Sequence, residues 1–336
     1  MALRKSLPLL LTGLLALAAL AAQEPQQGQD VQDQGFRIGV QVDQVFLSVS
    51  ARSAGGGFLR GLTREDFRIY EDGVEQTIVN FSSDSVPVHV ALLIDASGST
   101  RYSQANIQQA GYRFAESLGP EDRVAVITFS DKVRLILDWT ADLEKIEEKL
   151  RSIWAKGSTV LNDAVYVTYD DLFQDLPGKK AIILLTDGVD AGSLVSHQEV
   201  LQLAERSEAS AYVVSLLDDY RHSAIQGRQY YRARLRPVPL ELQEDYINQS
   251  ARFLKRLANN TGGTLFPAST SLLTEIYETV AEEIKNQYYI SYVPTNPRKE
   301  GRWRRVEIEA TRRADLMLRT RPGYYEDGPT LETDGR

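Results

Sequence analysis

The stretch His89-Val90-Ala91-Leu92-Leu93-Ile94-Asp95-Ala96-Ser97-Gly98-Ser99 decides the fold. Its first six residues are a nearly continuous apolar run, the pattern of a strand covered on both faces. It then breaks into a carboxylate and two hydroxyls, with Gly98 supplying a tight turn between the serines. Ligands of open α/β sheets bind beyond the carboxyl ends of the strands, where this stretch places Asp95, Ser97 and Ser99. Oxygen-only donors of this kind suit a hard cation such as Mg²⁺, Mn²⁺ or Ca²⁺. Taken alone, the same spacing also serves as a helix cap after a strand.

The neighbouring pattern repeats that design. Buried-type strands are expected at Val124–Phe129, Ala181–Thr186 and Ala211–Leu217, with short strands at Val133–Leu137 and Thr264–Phe266. Helical spacing marks Ser103–Leu118, the segment with Leu143, Ile146 and Leu150, and Leu161–Phe173. It recurs at Val200, Leu201 and Ala204, at Phe253–Ala258, and in the stripe Leu272, Leu273, Ile276, Tyr277, Val280 and Ile284. Strands alternating with helices imply a doubly wound, mainly parallel sheet.

Both flanks read differently. Val45, Leu47 and Val49 alternate with polar residues. Thr63 and Asp66 are spaced as a cap. Phe67–Tyr70, Asp72-Gly73 and Gln76–Phe81 read as a hairpin. After residue 287, Tyr288–Val293, Trp303–Ala310 and Leu316–Thr320 read as strands. The simplest assembly inserts the α/β part into one small β-sandwich made by the two flanks. The expected division is 1–21 signal peptide, 22–35 flexible linker, 36–86 β-rich, 87–286 α/β domain, 287–325 β-rich and 326–336 disordered tail. Arg304-Arg305 and Arg312-Arg313 are expected to be exposed charges, and Tyr288, Tyr289 and Tyr292 to pack in the core and at its edge.

Two further pieces complete the constellation. Gly157-Ser158-Thr159 precedes the helix with Leu161, and Thr186-Asp187-Gly188 ends the strand Ala181–Thr186. In this order the sequence resembles the von Willebrand factor type A family, whose metal-ion-dependent adhesion site (MIDAS) uses Asp-x-Ser-x-Ser, a Thr and an Asp. The resemblance covers roughly residues 87–290. It implies a Rossmann-like fold and a divalent cation, Mg²⁺ first and Mn²⁺ or Ca²⁺ as options, held by Asp95, Ser97, Ser99, Thr159 and Asp187. Asp163, one helical turn after Thr159, is a candidate supporting acceptor or an ordinary first-turn carboxylate. Thr63-Arg64-Glu65-Asp66-Phe67, Glu71-Asp72-Gly73, Leu161–Tyr166 and Tyr288–Tyr292 are further similar to the exported "VWFA-related" bacterial proteins typified in Acidobacteria.

Composition narrows the function. The 336 residues carry 38 Lys and Arg against 46 Asp and Glu, a net charge of −8, the opposite of a generic nucleic-acid binder. There is no cysteine, so disulfides, thiol catalysis and zinc-thiolate sites are excluded. Only three histidines occur, far apart in sequence. Arg4 and Lys5 followed by apolar Leu7–Leu20 and Ala19-Leu20-Ala21 read as a cleavable leader, so the protein is expected to be periplasmic or secreted. An uncleaved anchor is the rival reading, and no later segment is apolar enough to span a membrane.

The expected function is a non-enzymatic adhesion or assembly module that captures a carboxylate of a protein or peptide partner through the cation. The alternatives are a hydrolase or phosphotransferase using Asp95 as nucleophile, and a structural envelope protein. Enzymes of the haloacid-dehalogenase type need a second acid two positions later, where this chain has Ser97. The long connection Asp218–Gln243 carries Arg221, Arg228, Tyr230, Tyr231, Arg232, Arg234 and Arg236. It is expected either to rim the site or to be a mobile solvated loop.

Overall fold

The apolar runs form strands in the computed structural model, which describes residues 44–83, 86–174, 176–218, 240–296, 301–312 and 316–326. In chain order the strands are β1 (Val45–Arg52), β2 (Phe67–Glu71), β3 (Val74–Gln76), β4 (Ile78–Ser82), β5 (Val88–Asp95), β6 (Arg123–Phe129) and β7 (Val133–Thr140). They continue as β8 (Lys179–Thr186), β9 (Ser210–Ser215), β10 (Leu265–Pro267), β11 (Tyr288–Tyr292), β12 (Trp303–Ala310), β13 (Met317–Arg319) and β14 (Gly323–Tyr325). The helices are α1 (Gln104–Ser117), α2 (Leu143–Arg151), α3 (Leu161–Val167), α4 (His197–Arg206), α5 (Leu240–Asn260) and α6 (Leu273–Lys285). The first residues of the expected β-rich segment, 36–43, the leader and the Arg-rich connection from residue 219 to 239 lie outside the described residues.

Six strands order as β10-β9-β8-β5-β6-β7, all parallel except the edge strand β7. The two-residue period of β5 divides its side chains between two apolar layers. Val90, Leu92 and Ile94 pack with Phe114 of α1, Ile146 of α2 and Tyr277 of α6. Ala91 and Leu93 pack with Leu161 of α3, Val200 of α4 and Leu254 of α5. Helices cover both faces, so the strands can be apolar throughout. Because β5 lies between β6 and β8, chain order reverses there, and the crevice of a doubly wound sheet opens beyond the ends of β5 and β8.

The flanks build two antiparallel sheets, β13-β1-β11-β4 and β14-β12-β2-β3. Each mixes residues from before and after the α/β part: Val45 pairs with Tyr292, and Phe67 with Ala310. One apolar cluster fills the space between them, with Leu47, Val49, Ile69, Ile290, Tyr292 and Val306. Asp66 Oδ2 accepts from the Thr63 amide (2.8 Å) and hydroxyl (3.1 Å), so the expected cap forms.

Three expectations are corrected. The second hairpin arm is not one strand: Gln76 ends β3 in one sheet and Ile78 begins β4 in the other, so the chain changes sheets at Thr77. Arg304 is buried, not exposed; Glu326 accepts from its Nε and Nη2 at 2.9 and 2.8 Å, and Asp72 from its Nη1. Glu326, expected to begin the tail, is therefore buried and paired, and β14 precedes it where no strand was expected.

A second set of buried charges joins the flanking sheets to the α/β part. Glu283 of α6, fully buried, accepts from Arg52 of β1 at 2.8 Å and from Arg319 of β13. Arg319 also donates to Thr264, and Arg321 to the Ser207 carbonyl at 3.1 Å. Gly262 follows α5 with φ of +77°; a Cβ there would lie 2.6 Å from the Arg321 amide nitrogen, so only glycine lets the two backbones approach.

Candidate metal centre

Asp95 is the last residue of β5 and Asp187 the first beyond β8, so register alone sets two carboxylates side by side at the sheet's crevice. Both are buried. Asp95 Oδ1 accepts from the Ser97 amide and Oδ2 from the Thr186 hydroxyl, each at 2.9 Å. Asp187 Oδ1 accepts from the Val189 amide at 3.2 Å, whereas its buried Oδ2 accepts no hydrogen bond among the described residues. Burial, then the Asp187 charge, push the Asp95 carboxyl up to about 7. Burial pushes Asp187 up as well, with the Ser99 hydroxyl and the Val189 amide acting against it.

The hydroxyls come from loops tied to one another. Ser97 Oγ and Ser99 Oγ are 2.8 Å apart. Thr100 donates its hydroxyl to the Asp95 carbonyl at 2.9 Å and closes the turn. The expected tight turn forms at Gly98, closed by the Thr100 amide on the Ser97 carbonyl at 3.3 Å, with an ordinary φ; the Gly98 amide donates to the Gly157 carbonyl at 3.1 Å, which draws the Thr159 loop towards the serines. Thr159 is buried, and its carbonyl accepts from the Ala191 amide at 2.9 Å, tying it to the Asp187 loop.

Three carboxylates brace these loops. Asp163 does not point its hydrogen bonds at the centre: its Oδ1 accepts from the Leu194 and Val195 amides at 2.9 and 3.0 Å. Asp190 reciprocates, with Oδ1 accepting from the Leu161 amide at 2.8 Å and from the Ser193 hydroxyl at 2.6 Å. It caps α3 from a loop 29 residues away. Asp131 accepts from the Ser158 amide at 2.7 Å. The signal for Asp190 was the Asp-x-x-Ser spacing beyond Asp187; Asp131 left none, because its partner is distant in sequence. The rim candidates Arg221, Arg228, Tyr230, Tyr231, Arg232, Arg234 and Arg236 lie outside the described residues.

Among the described residues no three His, Asp or Glu side chains converge as a metal cage. The donor chemistry is two carboxylates plus hydroxyls, with one carboxylate oxygen buried and unused. That set fits a hard divalent cation.

A doubly wound sheet with such loops at its switch point defines a class of domain. Residues 89–228 match the family model of the von Willebrand factor type A domain. No curated protein sequence matches the chain. Similar solved structures include the vWF domain of a type V pili tip protein from Porphyromonas gingivalis, 13% identical with a TM-score of 0.45, covering 60% of this chain and 95% of that one. A von Willebrand factor type A protein from Catenulispora acidiphila is 15% identical, TM-score 0.46, covering 85% and 74%. Proximal thread matrix protein 1 from the mussel byssus, with a zinc-occupied MIDAS motif, is 16% identical, TM-score 0.44, covering 64% and 49%.

Proposed function

We propose that residues 87–286 form a binding head that uses a divalent cation to capture a carboxylate of a protein or peptide partner, with the flanking sheets as its base. The observation that carries this reading is the pair of buried carboxylates Asp95 and Asp187, whose hydrogen-bond partners among the described residues include no cationic side chain. Burying like charges together is costly unless a cation neutralises them. Asp95, Ser97, Ser99, Thr159 and Asp187 would hold the ion, Mg²⁺ first. Five side-chain donors leave a six-coordinate ion one open position, which a partner's carboxylate oxygen can fill.

Hydrolysis through Asp95 is disfavoured, because both its oxygens already accept hydrogen bonds and the position two residues on is a serine. The apolar run Leu7–Leu20 supports an exported, adhesive or assembly role.

The test is thermal unfolding in Mg²⁺, in Mn²⁺ and in EDTA. At 100 times its Kd the ion should stabilise by about 2.7 kcal/mol, a rise of several degrees. Thr159→Ala and Asp187→Asn should remove most of that rise. A rise that survives both substitutions would overturn the assignment.

A further inference from the structure

Three loops that carry the candidate centre also hold out large side chains. Tyr102, three residues after Ser99, is 73% exposed; Trp154, five before Thr159, is 66% exposed; Leu194, seven after Asp187, is 95% exposed. An exposed apolar side chain on a loose loop would mean little. These backbones are braced.

The residues on either side of Trp154, Ile153 and Ala155, are buried. Gln104 of α1 clamps both, its Nε2 donating to the Ile153 carbonyl and its Oε1 accepting from the Ala155 amide at 3.2 Å. Gln108 donates to the same Ile153 carbonyl at 3.2 Å. Two residues on, the Lys156 amide donates to the Ala96 carbonyl at 2.8 Å, which fixes this segment beside Asp95. The Arg101 guanidinium lies 5.9 Å from the Trp154 ring centre, a cation-π contact at the solvent surface. Leu194 is held by its own amide on Asp163 Oδ1, next to the Ser193–Asp190 bond.

We infer that Arg101, Tyr102, Trp154 and Leu194 form a pre-organised recognition rim that selects an acidic peptide segment whose carboxylate is flanked by an apolar side chain. The inference rests on the reading of the centre as a carboxylate-capturing site. Trp, Tyr and Arg are the residues in which binding energy concentrates at protein interfaces, and rigid presentation lowers the entropy lost on binding. Arg101 beside the site makes the charge preference acidic, and the apolar groups around it set the neighbour of the acid. A basic segment would offer the cation no anionic donor and would be repelled by Arg101.

The probe is an array of synthetic peptides with a single Asp in a Gly/Ser background, flanked by Phe, Leu, Ser or Lys, with Ala-for-Asp controls. The full chain is applied in Mg²⁺ and in EDTA. Phe- and Leu-flanked peptides should be retained about tenfold better than Ser-flanked ones, only in Mg²⁺ and only with Asp present. Trp154→Ser and Leu194→Ser, at solvent-exposed positions, should erase most of that preference while keeping the Mg²⁺-induced rise in melting temperature. Equal retention of Phe- and Ser-flanked peptides, a basic preference, or an unchanged preference in both variants would overturn the inference. No retention of any Asp peptide by a chain that responds to Mg²⁺ would also overturn it, while leaving the cation site standing. Absence of the Mg²⁺ response itself would remove the site reading as well.

Discussion

Buried charge is handled in two ways in this molecule. Where the flanking sheets meet the α/β part, buried Glu283 has Arg52 and Arg319 as counter-charges, and within the flank Glu326 has Arg304. At the carboxyl ends of β5 and β8, Asp95 and Asp187 lie together, and among the described residues their hydrogen-bond partners are hydroxyls and amides. Both arrangements remove ions from water, which costs several kcal/mol each before compensation. In the first, compensation is intramolecular, so the charges fix how parts of the fold meet. In the second no counter-charge is seen among the described residues, and both carboxyls are pushed up towards protonation, chiefly by burial. Glu71 and Asp122 are also buried with hydroxyls or amides as partners, so what sets Asp95 and Asp187 apart is that two such carboxylates lie together.

The sharpest way to break this contrast is to remove one member of each set. Glu283→Ala should cost about 3–5 kcal/mol in urea unfolding, towards the lower end because Arg52 and Arg319 are each about a third exposed and regain some hydration. Asp187→Asn in EDTA should cost nothing or stabilise, since it removes a like charge beside Asp95. Equal losses in the two variants would erase the distinction.

A smaller effect should separate the loops from the ions. Gly157 has φ of +84°, and a Cβ there would fall within 2.8 Å of Asp131 Oδ1 and closer still to Oδ2. Gly157→Ala should destabilise by about 2–3 kcal/mol and weaken the Mg²⁺ response, because the Thr159 loop must move. An intact Mg²⁺ response with full stability would show that Asp131 yields freely.

The smallest effect concerns a buried cation at the opposite end of β8. Lys179 donates to the Ile284 carbonyl, and burial lowers its amine to about 7 from 10.5, only partly offset by the Asp122 charge. Between those values the unfolded chain binds the proton and the folded chain does not, so this amine makes stability climb with pH. Wild type should gain about 1 kcal/mol per pH unit over Lys179→Met across that window. Parallel pH profiles would show the folded amine keeping its proton.

Much of this was legible in the sequence. The runs at Val90, Val124, Ile182 and Tyr212 read as buried strands because helices on both faces leave them no polar side. The order of Asp95, Ser97, Ser99, Thr159 and Asp187 showed because each falls at the end of an apolar run or just before a helix. What stayed hidden depends on distant partners. Arg304 sits in an alternating strand and reads as solvated until Glu326 and Asp72 are brought beside it. Glu283 borders the apolar stripe of α6, and nothing local says that two arginines from different strands meet it. The sheet change at Thr77 is invisible because Gln76–Phe81 has strand composition throughout. Trp154 and Leu194 mislead in the other sense, since their residue type speaks for burial and their clamped backbones keep them outside.

The strands by which the chain enters and leaves the α/β part, β4 and β11, are direct neighbours, with Ser82 opposite Tyr289. Mechanical tension along the polypeptide therefore has a short route. It passes from β1 to β11 and across the flanking sheets, whose hydrogen bonds carry the load, and the inserted sheet hangs beside that path. The Glu283 ion pairs, the Arg321–Ser207 bond and the close approach of Gly262 to Arg321 hold the α/β part to that base at further points, so it does not hang from its two connections alone.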